Sequence, residues 1–383
     1  MYWFCVCVAF ALFATLVSTR AVPRAFPGLN TTLLSLVRDN AVNSSTQSWE
    51  IGTLAEALTE VEWPRLSVFL PGSVLPPLIL PWWESADDVL TIAETVVDQR
   101  ANGSLPLADG LGSVGDPASL GQAVLLRNWT RRDLTDTRFS TAAGEQLGYL
   151  LSVAPRADSG AISHRDDQVQ LWADFVYMVP PFIAYFGVLQ NDDYGGLALL
   201  QVAYDQIRLY RDALFDADAS LWRHVTLGSW EDSGHWTTGN GWAAAGAMRV
   251  LATIKRSRFA SEMQSQQNDL VQWIDEILTG VWYYQQSNGT LLNYVDQPGS
   301  FADSASTALL AATTLRYSVL TSVTKHDAAA LRALELVFSS VDEDGWLLNT
   351  VNPEAWTTLT QNGTHSAEAQ SFVLLLAAAW AVY

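Results

Sequence analysis

Segments with large apolar residues at helical spacing recur along this chain and are separated by short loops. In one of them, Leu171, Phe175, Met178, Phe182 and Tyr185 return every three or four residues, as on one face of a helix. No stretch alternates apolar and polar residues over a sustained length, as a half-buried strand would. The predicted helices span residues 49–62, 86–99, 116–127, 138–153, 169–188, 195–212, 240–255, 260–280, 302–321, 326–340 and 364–381. The predicted small loop strands span residues 290–292 and 345–348.

The number and spacing of these helices predict the fold class. They follow one another mostly in pairs, at about the length of a helical hairpin, which favours an all-α fold of the α/α toroid kind. An irregular α-solenoid is the alternative, because no strong sequence repeat is visible. The chain has 383 residues and a hydrophobic content of 49%, enough for a large core. We predict one barrel domain over residues 49–383, after an irregular N-terminal arm over residues 21–48.

The first twenty residues (1–20) are typical of a secretory signal peptide. Residues 2–17 are almost wholly apolar, and small or polar residues follow them. The usual basic n-region is missing, so an uncleaved anchor is the alternative. Both cysteines, Cys5 and Cys7, lie in this segment, so the mature chain would depend on its core and not on disulfides. We therefore predict a secreted, extracellular protein.

N-glycosylation sequons support this secretory interpretation, because the chain has more of them than chance would supply. The predicted acceptor asparagines are Asn30, Asn43, Asn102, Asn128, Asn288 and Asn362.

Charge and motif content argue against several classes of function. The net charge of −19 and the pI near 4.5 disfavour nucleic acid and anionic membranes as partners. No Cys or His pair has ligand spacing, and the Asp pairs at 166–167 and 192–193 lack a calcium-loop frame. Gly239-Asn240-Gly241 is not followed by the Lys-Ser/Thr of a phosphate loop. The sequence therefore predicts neither a metal nor a cofactor, and no membrane association after signal cleavage.

The segment at 235–242, His-Trp-Thr-Thr-Gly-Asn-Gly-Trp, leads directly into a long apolar helical run. We expect a Gly-Asn-Gly turn there, whose glycines permit positive φ or a close backbone approach. Asn240 would cap the helix that follows. Trp236 and Trp242 would then lie at the open end of the helix, where indole faces stack on a sugar ring. A tight turn with two core tryptophans is the alternative.

Two carboxylates are the candidate catalytic groups. Asp174 lies two residues after Trp172 in an aromatic and apolar helix start, where loss of solvation favours the protonated form that a general acid needs. Helix capping is the alternative role. Asp116 precedes a proline, as an ordinary cap does, and is of interest only in company with Asp174. His164 and His224 lie in the same central third of the chain.

Taken together, these segments resemble the six-hairpin glycosidases, and specifically the unsaturated uronyl hydrolases of glycoside hydrolase families 88 and 105, of a secreted fungal type. The resemblance rests on Trp-x-x-Gly-Asn-Gly-Trp at 236–242 and Trp-x-Asp-x-x-Tyr-Met at 172–178. Weaker matches lie at 164–165, 301–308 and 366–372. The matching segments fall in order and cover roughly residues 110–381.

The resemblance implies an (α/α)6 barrel with its site at one mouth, and a hydrolysis that begins with hydration. The nonreducing sugar of the substrate carries a C4–C5 double bond left by a polysaccharide lyase. An aspartate protonates C4 and assists water at C5, and the hydrated sugar then opens and releases its partner. Asp174 matches that catalytic aspartate, and Asp116 matches the supporting carboxylate by its spacing. The substrate-binding residues that follow from the resemblance are Trp172, His164, His224, Trp236, Thr238, Asn240 and Trp242.

One position departs from the pattern of the rhamnogalacturonyl hydrolases. Thr238 stands where they usually have an arginine, a natural partner for the uronate carboxylate. Losing a bidentate guanidinium would cost roughly 2–5 kcal/mol if nothing replaces it. Arg165, Arg223 or Lys255 would have to supply the charge, or the substrate carries no carboxylate.

Three functions are therefore open. The first is a hydrolase of lyase-generated, unsaturated pectic oligosaccharides. The second is an inverting hydrolase of an ordinary saturated oligosaccharide, which would need the carboxyls of Asp174 and Asp116 roughly 6.5–9.5 Å apart. The third is a non-catalytic carbohydrate-binding barrel.

Overall fold

The computed structural model describes residues 28–77, 84–100, 105–361 and 363–383. The predicted signal peptide and the sequon asparagines Asn102 and Asn362 lie outside the described residues. The helices are α1 (Thr31–Ser44), α2 (Ser48–Glu62), α3 (Asp87–Gln99), α4 (Asp116–Ser119), α5 (Gly121–Thr130), α6 (Arg138–Ser152), α7 (Phe175–Met178), α8 (Pro180–Val188), α9 (Asp193–Leu214), α10 (Thr237–Arg256), α11 (Gln264–Tyr283), α12 (Ser304–Thr321), α13 (Asp327–Ser339) and α14 (Ala367–Val382).

These helices form two concentric rings. The inner ring runs from α2 through the pairs α4–α5 and α7–α8 to α10, α12 and α14, and α14 packs back on α2 to close it. Helices α1, α3, α6, α9, α11 and α13 lie outside and pack against inner neighbours. Each outer helix precedes an inner one in the chain, so the described residues form six helical hairpins. The predicted all-α (α/α)6 barrel is confirmed.

Burial explains which helices lie inside. Every residue of α10 from Thr237 to Ile254 is buried, as is every residue of α12 from Ser304 to Ser318. A helix buried on all sides needs no polar face, and small residues let neighbouring backbones approach. Gly246 of α10 shows how closely they pack, because a Cβ there would lie 2.1 Å from the carbonyl oxygen of Val176.

Ion pairs lie inside the barrel wall, more than two turns from the first residues of the inner helices. Arg249 of α10 donates to Glu56 of α2 at 3.1 Å and to Gln122 of α5 at 2.8 Å. Arg316 of α12 bonds to Glu60 of α2. Buried charges are stable only when they are paired in this way, so these bonds fix how the inner helices meet.

Short antiparallel strands join the loops at the end of the barrel where the inner helices begin. Strand β1 (Leu171–Trp172) pairs with β4 (Val225–Thr226), β2 (Phe215–Asp216) with β3 (Leu221–Trp222), and β5 (Leu291–Leu292) with β6 (Ala302–Asp303). The strand predicted at 290–292 is confirmed, whereas the segment at 345–348 forms only an isolated bridge between Val341 and Leu347.

The prediction of an irregular arm over residues 21–48 is wrong for residues 31–44, which form helix α1. Asn30 caps this helix, since its side chain accepts a hydrogen bond from the Leu33 amide at 2.9 Å. Val37 and Ala41 are fully buried, and the helix packs against α14. The arm therefore includes the first outer helix of the barrel.

Two predicted helices are interrupted. The helix predicted over 116–127 breaks at Leu120 into α4 and α5. The helix predicted over 169–188 begins instead as strand β1, and its helical part divides at Val179, before two prolines that lack the amide hydrogen a continuous helix needs. The second change places Asp174 in the turn between strand and helix.

None of the described helices combines the length and the apolar character needed to cross a bilayer.

Candidate active site

The inner helices begin at one end of the barrel, and the residues at these starts form a mouth. Asp116 begins α4, Asp174 precedes α7, Trp236 precedes α10 and Asp303 precedes α12. Helix N-termini present unpaired amide hydrogens and a partial positive charge. The mouth is therefore suited to a ligand with negative charge or oxygen acceptors.

Asp174 faces a histidine in this mouth. Its Oδ2 lies 3.5 Å from Nε2 of His224, and its side chain forms no capping hydrogen bond with α7. His224 is 1% exposed, and its Nδ1 lies 2.9 Å from Oδ2 of Asp232. Burial opposes the charged form, but Asp174 and Asp232 together raise the pKa of His224. His224 thus lies between the carboxyl groups of Asp174 and Asp232, which favour its charged form.

Asp116 lies in different surroundings. Its Oδ1 is 3.9 Å from Nε2 of His164. Burial raises the pKa of Asp116 to about 7, with a contribution from the charge of Asp174 and against a hydrogen bond from Ser113. Burial lowers the pKa of His164 to about 4, so this imidazole is neutral at ordinary pH. Asp116 therefore holds a proton up to near neutral pH.

Three tryptophans form an aromatic wall beside the histidines: Trp172, Trp230 and Trp356. The ring of Trp172 stacks on His164 with centroids 5.0 Å apart and meets Trp230 and Trp356 edge-on at 5.4 and 5.8 Å. Trp230 and Trp356 are nearly parallel, with centroids 5.9 Å apart. Trp230 is 40% exposed. Aromatic faces of this kind are suited to the apolar face of a sugar ring.

Comparison with known proteins gives the family. Residues 80–363 match the model of Glycosyl Hydrolase Family 88, which is well over half of the chain. The chain belongs to this family. It is accordingly a glycoside hydrolase, and the non-catalytic barrel is set aside. No curated protein matches the chain by sequence.

Solved structures share the fold of this family 88 protein at low sequence identity. A possible member of family GH105 from Klebsiella pneumoniae is 15% identical, with 99% of each chain covered and a TM-score of 0.74. A possible GH105 member from Salmonella enterica is 17% identical, covers 91% of this chain and 93% of its own, and has a TM-score of 0.68. An unsaturated glucuronyl hydrolase from Bacillus sp. GL1, responsible for the degradation of glycosaminoglycan, is 13% identical, with 90% of this chain and 94% of its own chain covered and a TM-score of 0.57. These likenesses establish the barrel fold.

Of the two tryptophans expected to stack on sugar, the structure places only Trp236 beside the site. Its ring centroid lies 4.5 Å from that of His224, and its Nε1 donates to Oδ1 of Asn293 at 2.9 Å. It is only 4% exposed, and Trp242 is 1% exposed. Trp242 packs against Tyr177 and Phe372, so its expected position at an open helix end is wrong.

The expected Gly-Asn-Gly turn is wrong, because α10 already begins at Thr237. Asn240 does not cap the helix. Its side chain accepts from the Trp222 amide at 2.8 Å and donates to the Trp222 carbonyl at 2.9 Å, so it ties α10 to β3. The glycines do leave room for close packing: a Cβ at Gly241 would lie 2.9 Å from Cδ2 of the Leu309 side chain.

Thr238 is also fully buried, and its hydroxyl lies 3.4 Å from Oδ2 of Asp303. That carboxylate caps α12 and accepts the amides of Ala305 and Ser306. Thr238 therefore faces a structural carboxylate, and its position gives no cation to the mouth.

The three candidate cations lie in different places. Arg165 follows His164 directly, and its charge acts on both Asp116 and His164. Arg223 is bonded to Asp216 at 2.8 Å. Lys255 is exposed in the last turn of α10. At a rise of about 1.5 Å per residue, it lies about 27 Å along the helix from Thr237. Of these three cations, only Arg165 is shown to act with its charge on Asp116.

The described ranges contain no group of three or more His, Cys, Asp or Glu residues arranged to hold a metal ion.

Sequence reasoning missed three residues of the mouth: Trp230, Asp232 and Trp356. Trp230 and Asp232 follow β4 in a loop and belong to none of the motifs above, although a tryptophan followed by two acidic residues close to His224 was a usable indication. Trp356 lies more than 100 residues further along the chain, and nothing near it in the sequence points to the site.

Proposed function

We propose that this glycoside hydrolase removes a Δ4,5-unsaturated uronic acid from the nonreducing end of lyase-generated pectic oligosaccharides, outside the cell. The observation that carries the proposal is the pairing of Asp174 with the buried His224 at the mouth, beside the aromatic wall. The fold shared with an unsaturated glucuronyl hydrolase supports the reaction class.

Asp174 is the acid and base of the proposed reaction. As acid it gives a proton to C4 of the enol ether, and positive charge develops at C5. The resulting carboxylate then removes a proton from water as the water oxygen bonds to C5. The product is a hemiketal, which opens to a ketone at C5 and releases the partner sugar. Because His224 lies 3.5 Å from Asp174, its charge stabilises the carboxylate after each proton donation.

The other site residues bind and orient the sugar in this proposal. Trp172 and the exposed Trp230 hold the sugar against the aromatic wall. His164 is neutral and buried, so it offers hydrogen bonds without charge. Asp116, as a protonated carboxyl, donates to a sugar oxygen. Arg165 and the helix N-termini supply the attraction for the uronate carboxylate that Thr238 does not supply.

Secretion belongs to the same proposal and has support from the sequons. Asn30, Asn43 and Asn288 are exposed, as acceptors of a glycan must be. Asn128 is different, because it lies within α5 and its side-chain oxygen is buried without a hydrogen-bond partner. We expect glycans on the first three positions and none on Asn128, which peptide mass mapping of the secreted protein would test.

The reaction is tested with matched oligosaccharides. Lyase-generated pectic disaccharide has an enol-ether absorbance band, and the saturated disaccharide of the same sugars does not. The proposal predicts that the protein abolishes the band and releases the partner sugar from the unsaturated compound alone. Release of sugar from the saturated compound at a similar rate would refute it.

The inverting hydrolysis of a saturated oligosaccharide is the second candidate, and one observation favours it. Burial raises the pKa of Asp116 to about 7, so this carboxyl keeps the proton that a general acid donates, and Asp174 is a second carboxyl group in the same mouth. One carboxyl as acid and another as base are what inversion requires. The same pair of substrates decides between the two candidates.

A further inference from the structure

Asp232 lies behind His224, on the side away from Asp174. We propose that Asp232 is a positioning residue for catalysis, which orients His224 so that Nε2 faces the catalytic Asp174. This inference rests on the proposed role of Asp174, and nothing in it requires Asp232 to touch the substrate.

Asp232 accepts hydrogen bonds from four donors. Its Oδ2 accepts from His224 Nδ1 at 2.9 Å, the Tyr294 hydroxyl at 2.6 Å and Trp356 Nε1 at 3.2 Å. Its Oδ1 accepts from the Gly234 amide at 3.0 Å. The donors come from three separate loops, which meet at this carboxylate. Such a set of donors fixes the carboxylate in place and stabilises its charged form.

The consequence for His224 is a fixed ring orientation. With Nδ1 bonded to a carboxylate, the proton on that nitrogen is held, and Nε2 points to Asp174. Among the described residues, Nε2 has no hydrogen-bond partner and is buried. Without Asp232 the ring would be free to exchange its tautomer or turn, and a histidine in the wrong tautomer cannot support its catalytic partner.

The charges around His224 act in the same direction. Asp174 and Asp232 face its two nitrogens, and the third titratable neighbour, His164, is neutral. Asp232 itself stays ionised, because its bonds from His224 and Tyr294 outweigh burial and lower its pKa to about 2. Removing this carboxylate therefore removes one of the two carboxyl groups that raise the pKa of His224.

A second Asp–His pair nearby provides a matched control. Asp296 bonds Nδ1 of His235 at 2.7 Å, a contact of the same chemistry in a neighbouring loop. His235 faces Asp216 at 3.7 Å through its other nitrogen and does not face Asp174. The substitution Asp296→Asn therefore changes the same kind of bond without touching the pair of His224 and Asp174.

The experiment compares D232N with D296N on the unsaturated disaccharide. D232N is expected to lower kcat by at least about tenfold, to change KM less than about twofold, and to move the alkaline limb of the kcat–pH profile down by roughly 1–3 pH units. The direction of this shift follows because loss of an anion lowers the pKa of His224, and in the proposed reaction the charged form of His224 is the one that stabilises the carboxylate of Asp174. D296N is expected to leave the position of this limb unchanged. An equal shift in both variants, or none in D232N, would overturn the proposal.

An NMR titration separates this inference from the proposed function, since it needs no substrate. The chain has five histidines, and the signal of His224 is assigned by its loss in H224Q. In the wild type the pKa of His224 is expected to lie above the ordinary value of about 6.5, and in D232N this pKa is expected to be lower. If D232N does not fold, D232S removes the same carboxylate with a smaller side chain, and the pKa of His224 should fall in the same direction. A His224 that is neutral at pH 6 in the wild type would contradict the inference, even if the enzyme acts on the predicted substrate.

Discussion

Gly246 gives the sharpest stability prediction, because the clash at this position is with backbone. A Cβ there would lie 2.1 Å from the oxygen and 2.4 Å from the carbon of the Val176 carbonyl, and 2.7 Å from Cα of Tyr177. Backbone atoms cannot turn aside as a flexible side chain can. The substitution Gly246→Ala must therefore push α7 away from α10 by about 1 Å or more, given ordinary carbon contacts of roughly 3.5 Å.

The magnitude follows from two opposing effects. Overpacking of this kind costs about 1–3 kcal/mol, and the upper end applies because only backbone can yield. Alanine in place of glycine within a helix returns about 1 kcal/mol. We expect G246A to lower the free energy of unfolding by about 2 kcal/mol. The matched control is G148A in the outer helix α6, where a Cβ would meet nothing within 4 Å, and this variant should gain about 0.5–1 kcal/mol.

Urea unfolding followed by tryptophan fluorescence measures both variants. The same displacement should affect activity, because Asp174 lies two residues before Val176 at the start of α7. A shift of about 1 Å in a catalytic group can cost on the order of a hundredfold in rate. If G246A unfolds within about 0.5 kcal/mol of wild type, the close contact between α7 and α10, and the reasoning built on it, would be refuted.

Further predictions concern Asp116 and the tryptophans. Asp116 has a pKa of about 7 in the native state, above the ordinary value near 3.9. Protonation of Asp116 therefore stabilises the folded protein, and this contribution is fully present below about pH 4 and is lost as the pH rises through 7. The free energy of unfolding of D116N, measured by urea unfolding, should therefore rise by roughly 1–3 kcal/mol relative to that of wild type from pH 4 to pH 8. The same difference between the two proteins at pH 4 and at pH 8 would contradict this. W242A should cost about 3–5 kcal/mol of stability as a core truncation. W230A should cost under about 1 kcal/mol of stability but should raise KM roughly tenfold at unchanged kcat. A larger loss of stability in W230A than in W242A, or an unchanged KM in W230A, would contradict the placement of these two tryptophans.

Helical periodicity was enough to predict most of the barrel. The inner helices α10, α12 and α14 differ from their predicted bounds by at most three residues at either end, because long apolar runs at helical spacing are a reliable signal. Residues 169–188 were harder, since a short apolar strand followed by a buried helix has no distinguishing period. Only the pairing of β1 with β4, more than 50 residues away, makes Leu171 and Trp172 a strand.

The site was predictable in its carboxylates and less so in its aromatic residues. Asp116 and Asp174 both lie in the mouth, and neither side chain caps its helix. Trp236 and Trp242 cannot both face the mouth, because six residues of helix turn the second by about 240° and carry it about 9 Å inward. The start of α10 at Thr237 is set in part by Asn240, whose bonds reach Trp222. A local capping rule cannot include such a partner.

Trp356 and Asp232 show what sequence reasoning lacks at this site. They lie 124 residues apart and meet through one hydrogen bond of 3.2 Å. Neither forms part of a periodic segment, because both are in loops whose shape depends on the strands and helices around them. Contacts between distant loops require the folded chain, and this mouth is built largely from such contacts.

The most direct test of the account is the reaction of wild type and D174N with the unsaturated disaccharide in D2O, followed at early times by proton NMR. The account predicts that the wild type delivers one deuteron to C4 as the enol-ether signal disappears and the partner sugar is released, and that D174N folds and does neither at a measurable rate. Release of the partner sugar with the double bond intact, or turnover by D174N at the wild-type rate, would contradict it.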